Sequence, residues 1–175
     1  MKLPLNYTIE FVKDVSIDDL KKAEDYFKTT LPQSYKNHLL NKGRFKITKK
    51  GNNYSYYEML HPLKSIEFIE REIEEFDEEV FGTEKEDIEA AHEEFNLRIK
   101  LYPFQYCSTY VNDFWCFYID SKKNDELYII DIFHDDFELS SLLSDELQCC
   151  EDFNNYSFED FVKWHFNKIE TELNK

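Results

Sequence analysis

The sequence predicts an α+β fold: a mostly antiparallel sheet built from consecutive hairpins, flanked by an N-terminal helical corner and a C-terminal helix. Segments with strand character follow one another across short turns and do not alternate with helices. Two amphipathic segments joined by only a few residues precede the strands, which predicts two helices that meet at a corner. A further amphipathic segment follows the strands, so helices are expected to cover one face or one end of the sheet.

Length and composition favour one folded domain. The chain has 175 residues, of which 42% are apolar, and it contains 16 Phe and 12 Tyr, which is enough to build a buried core. We therefore expect residues 1–175 to form a single domain. Residues 77–95 are strongly acidic, and we expect them to form a helical excursion from that domain.

The formal net charge of −16 narrows the classes of partner. Nucleic acids and anionic membrane surfaces attract basic proteins, and no basic patch is recognisable, so neither is expected as a partner. An acidic surface instead favours a basic protein or a cationic ligand, unless it serves solubility alone. The sequence contains no secretory signal and no apolar run of about 18 residues, so we expect a cytoplasmic protein.

The N-terminal region predicts a short extended segment at residues 7–12, followed by the first helix of the corner. Ser16 and Asp19 have the spacing of a capping box, which predicts that this helix begins at Ile17 and runs to about Lys28. Its apolar face is expected to contain Ile17, Leu20, Ala23 and Phe27.

The segment Leu31-Pro32-Gln33-Ser34-Tyr35 predicts the second helix of the corner. Pro32 has no N–H to donate and a fixed φ, and both properties fit the first turn of a helix. Gly43 can adopt the left-handed conformation that ends a helix. The buried stripe of this helix is expected to contain Tyr35, Leu39 and Leu40.

Two hairpins and a strand between them are predicted in the middle of the chain. Residues 44–59 are expected to form the first hairpin. Residues 97–101 alternate as a strand that Pro103 ends. Residues 114–120 and 126–133 are rich in aromatic residues and isoleucine, and they are expected to form the second hairpin.

Between the hairpins, Ser65 predicts the N-cap of a helix whose apolar residues recur every three or four positions. These residues are Ile66, Ile69, Ile73, Phe76 and Val80. Thr83 and Glu86 form a further capping box, which predicts a following helix that runs to about Phe95.

The C-terminal region predicts a loop and then a helix. Residues 134–155 are acidic and rich in serine, which is typical of a loop with at most a short helix. Ser157 with Asp160 then predicts the cap of the last helix. Its inner face is expected to contain Phe158, Phe161, Val162, His165, Phe166, Ile169 and Leu173.

Four features, in this order, resemble the SUKH superfamily, which is named for the fungal Smi/Knr cell-wall regulators and related proteins. A capped helix runs into the pattern L-P-x-x-Y-x-x-x-L-x-x-x-G at residues 31–43, which is similar to the leading signature of the superfamily. The strand end L-Y-P-F at 101–104 is similar to its "PF" element. The strand at 113–120 and its partner, which ends F-H-D-D at 133–136, resemble its central strands. The segment S-F-E-D-F at 157–161 resembles the start of its closing helix.

The resemblance covers about residues 16–170 and implies a function without catalysis. Bacterial members are implied to be immunity proteins that bind and block toxins of polymorphic or contact-dependent systems, many of them nucleases. The fungal branch implies a regulatory protein-binding scaffold instead. The size of this chain favours the bacterial type, so the expected partner is a cognate toxin domain, and no cofactor is expected.

Acidic side chains are the candidates for partner binding. A nuclease needs a basic cleft to hold phosphate, and a rigid acidic surface can be steered to such a cleft and fill it. The candidate residues are Glu72, Glu74, Glu75, Asp77, Glu78, Glu79, Asp135, Asp136 and Glu138. The alternative interpretation is that these residues belong to an ordinary solvated helix face and a solvated loop.

A small metal-dependent hydrolase centred on His134, Asp135 and Asp136 is the alternative that involves catalysis. One histidine beside two carboxylates is a weak pattern, because no further ligands at metal-binding spacing are recognisable. We therefore expect neither a catalytic residue nor a metal site.

The cysteines and the aromatic strand are expected to be structural. The spacing of the four cysteines fits no zinc site, and without a secretory signal they are expected to stay reduced. These are Cys107, Cys116, Cys149 and Cys150. Strand alternation predicts that Trp115 and Phe117 share one face of the sheet, while the other face carries Phe114, Cys116 and Tyr118. Cys116 is thus expected to be a buried, inert thiol.

Overall fold

The computed structural model describes residues 3–51, 55–79, 96, 99–107, 113–123, 126–132 and 158–174. Within these residues the elements are, in chain order, β1 (Tyr7–Val12), α1 (Ile17–Phe27), α2 (Gln33–Asn41), β2 (Arg44–Lys49), β3 (Ser55–Met59), α3 (Pro62–Glu79), β4 (Leu101–Cys107), β5 (Asp113–Lys123), β6 (Glu126–Ile132) and α4 (Phe158–Leu173). The predicted helix at 83–95, the loop at 134–155 and the cap residue Ser157 lie outside the described residues.

The six strands form one sheet in the order β1-β2-β3-β4-β5-β6, and every neighbouring pair is antiparallel. Each strand therefore pairs with the next one along the chain, as consecutive hairpins require. This topology confirms the predicted α+β class, including both hairpins. The extended segment at residues 7–12 is β1, and it adds an edge strand beside β2.

β4 continues through Pro103, so the prediction that Pro103 ends this strand is wrong. The strand begins at Leu101, and its ladder with β5 shifts register between Pro103 and Gln105. A proline lacks the N–H that a regular ladder needs, and a bulge is where a strand tolerates one. The Pro103 carbonyl is satisfied from outside the sheet, because the Ser65 hydroxyl donates to it at 2.5 Å.

That contact also corrects the predicted start of α3. The helix begins at Pro62, three residues before Ser65, and proline is well suited to a first helical position. Ser65 is fully buried inside the first turns, and its hydroxyl connects α3 to the bulge of β4. The signal read as a helix cap is thus a tertiary hydrogen bond.

The two helices of the corner have the predicted cap and end, but two residues that were predicted to be buried are exposed. Ser16 and Asp19 make the complete capping box of α1. Ile17 is nevertheless 70% exposed and Leu40 is 37% exposed, so neither belongs to the core. Successive helix positions differ by about 100°, which turns Leu40 away from the buried Leu39.

Gly43 ends the second helix in the left-handed conformation, as expected. Its φ is +89°, and its N–H donates to the His38 carbonyl at 3.1 Å. A Cβ at this position would lie 2.6 Å from the carbonyl oxygen of Val12. Glycine is therefore required both by the backbone conformation and by the close approach of β1.

α4 lies against one face of the sheet, whereas α3, which also packs on α1, contacts a residue of the other face. Side chains alternate along β5, so Trp115 and Phe117 project to one face and Phe114 to the other. Phe161 of α4 contacts Trp115, with ring centroids 5.0 Å apart, whereas Phe68 of α3 contacts Phe114 at 4.5 Å. The predicted division of β5 between two faces is confirmed.

The centre of the core lies between the sheet, α2 and α4. Tyr35 of α2 is completely buried, and its ring lies 4.9 Å from Phe158 and 5.2 Å from Phe117. Its hydroxyl lies 3.2 Å from that of Tyr102, which gives the buried oxygens a polar partner. The inner face of α4 is confirmed, since Phe158, Phe161, Val162, His165 and Ile169 are all buried.

Candidate partner-binding surface

α3 is amphipathic, and its apolar side attaches it to the rest of the fold. Ile69 is 3% exposed, while Ile66 and Ile73 are partly buried against the core. Phe68 packs on Phe114, and the Arg71 guanidinium lies 5.3 Å from the Phe68 ring centroid. The helix is thus fixed to the sheet along one side, and its opposite side faces solvent.

The solvent side of α3 begins with exposed carboxylates. Glu67 and Glu70 are exposed, and Glu67 pairs with Lys64 one turn earlier, with an N–O distance of 2.5 Å. Six of the predicted partner-binding residues follow in the same helix: Glu72, Glu74, Glu75, Asp77, Glu78 and Glu79. The structure describes the helical backbone at these six positions and not their side chains. Asp135, Asp136 and Glu138 lie outside the described residues.

Charge is distributed unevenly along the chain. Residues 1–60 contain eleven Lys and Arg against seven Asp and Glu, whereas residues 61–175 contain ten against thirty. The helix α3 alone contains eight acidic residues against Lys64 and Arg71. The net charge of −16 therefore arises entirely after β3, and α3 is where the described structure carries much of it.

Several charges in the first 60 residues form pairs that connect parts of the fold. The Arg44 guanidinium donates to both carboxylate oxygens of Asp14 at 2.9 and 2.6 Å and to the Met59 carbonyl at 2.7 Å. These hydrogen bonds lower the pKa of Asp14, against the opposing effect of burial. The cluster connects the loop after β1 to β2 and to the end of β3.

A second pair in this region stabilises the turn between α1 and α2. The Glu24 carboxylate accepts a hydrogen bond from the Lys36 ammonium at 2.8 Å and another from the Leu31 backbone N–H at 2.9 Å. One acidic side chain thereby satisfies a free backbone donor before α2 and a cation within it. These acidic residues have structural roles, in contrast to the exposed carboxylates of α3.

Two histidines are buried among aromatic rings. His38 packs against Phe158 at 5.5 Å, and burial lowers its pKa to about 4. His165 stacks on Phe161 at 5.3 Å, its Nε2 meets the Gln105 amide, and burial lowers its pKa to about 3. Both rings are therefore neutral at pH 7, and they serve the core, as expected for His165 from its helix face.

No group of three or more His, Cys, Asp or Glu side chains within the described ranges is arranged to hold a metal ion. His134, at the centre of the hydrolase alternative, lies outside those ranges together with its acidic neighbours. Cys116 is 2% exposed and forms no disulfide, so it is the buried thiol that strand alternation predicted.

Comparison with protein families agrees with this arrangement of helical corner, hairpins and closing helix. The sequence model of the SMI1 / KNR4 family (SUKH-1) matches residues 14–164. The chain belongs to the SMI1 / KNR4 family. The matched region begins just before the capping box of α1 and ends within α4, so it includes the whole corner and five of the six strands. This result confirms the resemblance to the SUKH superfamily.

Members of the SMI1 / KNR4 family typically bind partner proteins, and the family suggests a function of the immunity type without catalysis. No curated protein and no solved structure matches this chain. Among the described residues, no helix has the length and apolar character needed to span a membrane.

Sequence reasoning did not identify Arg44 as the centre of a cluster, because a charged residue at the start of a strand resembles any other solvent-facing position. Its partners come from residues 14 and 59, which no local pattern connects to it.

Proposed function

We propose that this protein is an immunity protein that binds a cognate toxin domain of the nuclease type and neutralises it by occluding the active site or substrate cleft. The observation that carries the proposal is the excess of acidic residues on α3, a helix already fixed to the sheet by its apolar side. Membership of a family whose proteins typically bind protein partners supports the same conclusion. We take residues 1–175 to act as one domain.

Most of the acidic residues of α3 lack a basic partner at helical spacing and are not expected to stabilise the helix that carries them. Glu70 and Glu74, Glu74 and Glu78, and Glu75 and Glu79 are spaced four residues apart, and like charges at this spacing destabilise a helix by about 0.2–0.5 kcal/mol per pair. The last turn of α3 contains no basic residue, so its carboxylates also oppose the helix dipole. A feature that costs helix stability is best explained by a function outside the helix.

A basic active site is the kind of partner surface that such a helix fits. Carboxylates on a rigid helix occupy positions that resemble those of substrate phosphates, and their field attracts a basic cleft before contact is made. Glu67 and Glu70 begin this surface, and residues 74 and 78 continue it at helical spacing. Neutralisation in this way requires tight binding and no chemical step.

The proposal is tested by co-expression with the toxin domain encoded beside this gene. The double variant Glu67→Lys and Glu70→Lys reverses two exposed charges of α3. The matched control, Glu159→Lys and Glu170→Lys, makes the same change in charge on α4, which packs on Trp115 of β5, whereas α3 packs on Phe114. We expect the wild-type chain and the control to protect cells, and the α3 variant to bind purified toxin at least tenfold more weakly.

Two results would overturn this proposal. If the wild-type chain neither protects cells nor inhibits the purified toxin domain, the immunity function is wrong. If the α3 and α4 variants lose affinity equally, the effect is one of net charge, and α3 is not the binding surface. Thermal unfolding of both variants checks that each is folded under the assay conditions.

A further inference from the structure

β1 is an edge strand with a regular set of backbone groups that face away from the sheet. Among the described strands it has a neighbour on one side only, β2. The Lys50 N–H donates to the Asn6 carbonyl at 2.7 Å, which identifies Asn6 and Lys50 as a hydrogen-bonded pair. In an antiparallel ladder such pairs alternate, so residues 8, 10 and 12 also bond to β2, whereas residues 7, 9 and 11 direct their N–H and C=O groups outward.

The side chains of these outward-bonding residues leave apolar surface at the same edge. Ile9 and Phe11 lie directly opposite Ile47 and Phe45, which are 0% and 1% exposed. Phe11 itself is 47% exposed, and no described strand lies on the outer side of β1 to cover it. An open edge with an exposed aromatic ring is the kind of strand that recruits another strand.

The sequence of β1 suits pairing with a second copy of itself in an antiparallel ladder that is centred on Ile9. In that antiparallel register Tyr7 lies opposite Phe11 of a second copy, and Thr8 lies opposite Glu10. Aromatic residues thus meet on the α4 face, and a hydroxyl meets a carboxylate on the other face. A shift by two residues one way places Glu10 opposite Glu10, and a shift the other way runs the ladder into the turn before Tyr7, whose N–H is bonded to the Pro4 carbonyl.

We propose that two copies of this chain associate through β1, with Ile9 opposite Ile9, to form a continuous twelve-stranded antiparallel sheet. Each Ile9 N–H donates to the Ile9 carbonyl of the second copy, and each Phe11 N–H donates to its Tyr7 carbonyl. The exposed Phe11 ring is covered by this pairing. The inference rests on the geometry of β1 and does not depend on the proposed toxin.

Charge gives this dimer a recognisable dependence on salt. Each copy carries a net charge of −16, so the two copies repel. Raising ionic strength from about 0.1 M to about 1 M shortens the screening length from about 10 Å to about 3 Å. Self-association therefore strengthens with salt, whereas a complex with a basic partner weakens.

The first experiment measures molecular mass by sedimentation equilibrium, on the order of 10–100 µM, in low and high salt. Ile9→Pro removes an N–H that faces the open edge and so costs no hydrogen bond within the sheet. Ile9→Ala removes most of the same side chain and keeps that N–H. We expect wild type and Ile9→Ala to dimerise increasingly with salt, and Ile9→Pro to stay monomeric.

The pairing is wrong if wild type stays monomeric in high salt, if Ile9→Pro dimerises like wild type, or if both variants lose dimerisation equally.

A second experiment tests the register by cross-linking and covers the case in which Ile9→Pro fails to fold. Residues 8 and 10 form non-hydrogen-bonded pairs across the dimer, with Cα atoms about 4.5 Å apart, which suits a disulfide.

In that test, Thr8→Cys is mixed with Glu10→Cys under mild oxidation and compared with wild type, which provides the background from the four native cysteines. The mixture is expected to form a covalent heterodimer well above that background. Thr8→Cys alone is expected not to, since its diagonal separation of roughly 7–8 Å is too long. Equal cross-linking in the two samples, or none in either, contradicts the register.

Discussion

α4 and α3 are both amphipathic helices that pack on the same sheet. They differ in how far contact with the core explains their sequences. α4 buries a run of large side chains, and Phe161 alone lies within 5.8 Å of Phe104, Trp115, Phe158 and His165. α3 attaches through α1, through the buried Ile69 and Ser65, and through the Phe68–Phe114 pair. The helix also contains eight acidic residues, of which Glu67 and Glu70 are exposed.

This difference separates what the fold requires from what it does not. The sequence of α4 is explained by the core that it covers. The apolar residues of α3 are explained in the same way, but its carboxylates repel one another and oppose the helix dipole. The stability of the domain is therefore expected to depend mainly on the α4 face, whereas the proposed binding of a partner involves the solvent side of α3.

The largest effect is expected from the α4 face. Phe161→Ala removes a ring that is 1% exposed and leaves a cavity between α4 and the sheet. The free energy of unfolding should fall by about 3–5 kcal/mol, measured by urea denaturation at pH 7. A loss below about 1 kcal/mol would mean that this face does not dominate stability.

A smaller effect is expected from acid, through His38 beside the first turn of α4. Its pKa is lowered from 6.5 to about 4 by burial; the nearby Lys42 ammonium adds to the lowering, and Glu159 opposes it. The unfolded chain therefore binds more protons between these values, so the contribution of His38 to stability is lost as the pH falls from about 6.5 toward 4.

The expected size of this loss is about 2 kcal/mol between pH 7 and pH 5. It is measured by comparing urea denaturation of wild type and His38→Leu at both pH values. The variant should lose about 2 kcal/mol less than wild type over this interval, whatever its stability at pH 7. Identical pH dependence of the two proteins would show that His38 is not buried in its neutral form.

The smallest effect on stability is expected from α3. Glu74→Gln with Glu78→Gln removes two like-charge pairs, Glu70–Glu74 and Glu74–Glu78, and two carboxylates from the C-terminal half of the helix. Stability should rise by about 0.5 kcal/mol or stay unchanged, while affinity for the toxin domain falls. Thermal unfolding and a binding titration on the same sample measure both quantities. Lower stability together with unchanged affinity would reverse the comparison between the two helices.

The sequence predicted those features of the fold that depend on local chemistry. The capping box at Ser16, the left-handed end at Gly43 and the inner face of α4 each follow from residue types at fixed spacing. Pro103 was predicted to end a strand and Ser65 to cap a helix, and both predictions were wrong. The two residues are instead hydrogen-bonded to each other, although 38 residues separate them in the sequence. A bulge that accommodates a proline inside a sheet has no local signature.

For the candidate surface, the sequence supplied the acidic residues and their helix but could not supply its attachment. α3 is attached to β5 by the contact between the rings of Phe68 and Phe114. This contact depends on the face of β5 to which Phe114 projects, which is the face opposite to that of Trp115 and Phe117. The exposure of Ile17 and Leu40 was missed for a similar reason. Helical periodicity predicts which face of a helix is the more apolar, but contact with neighbouring elements decides how much of each face is buried.

The most direct test of the central claim is the rate at which this protein associates with the toxin domain encoded beside it, measured by stopped flow across a range of salt concentrations. If the carboxylates of α3 steer binding, the rate should fall at least tenfold between about 0.05 M and 0.5 M NaCl. The Glu67→Lys and Glu70→Lys variant should show a much weaker dependence. A rate that is insensitive to salt in wild type, or equally sensitive in both proteins, would contradict the account.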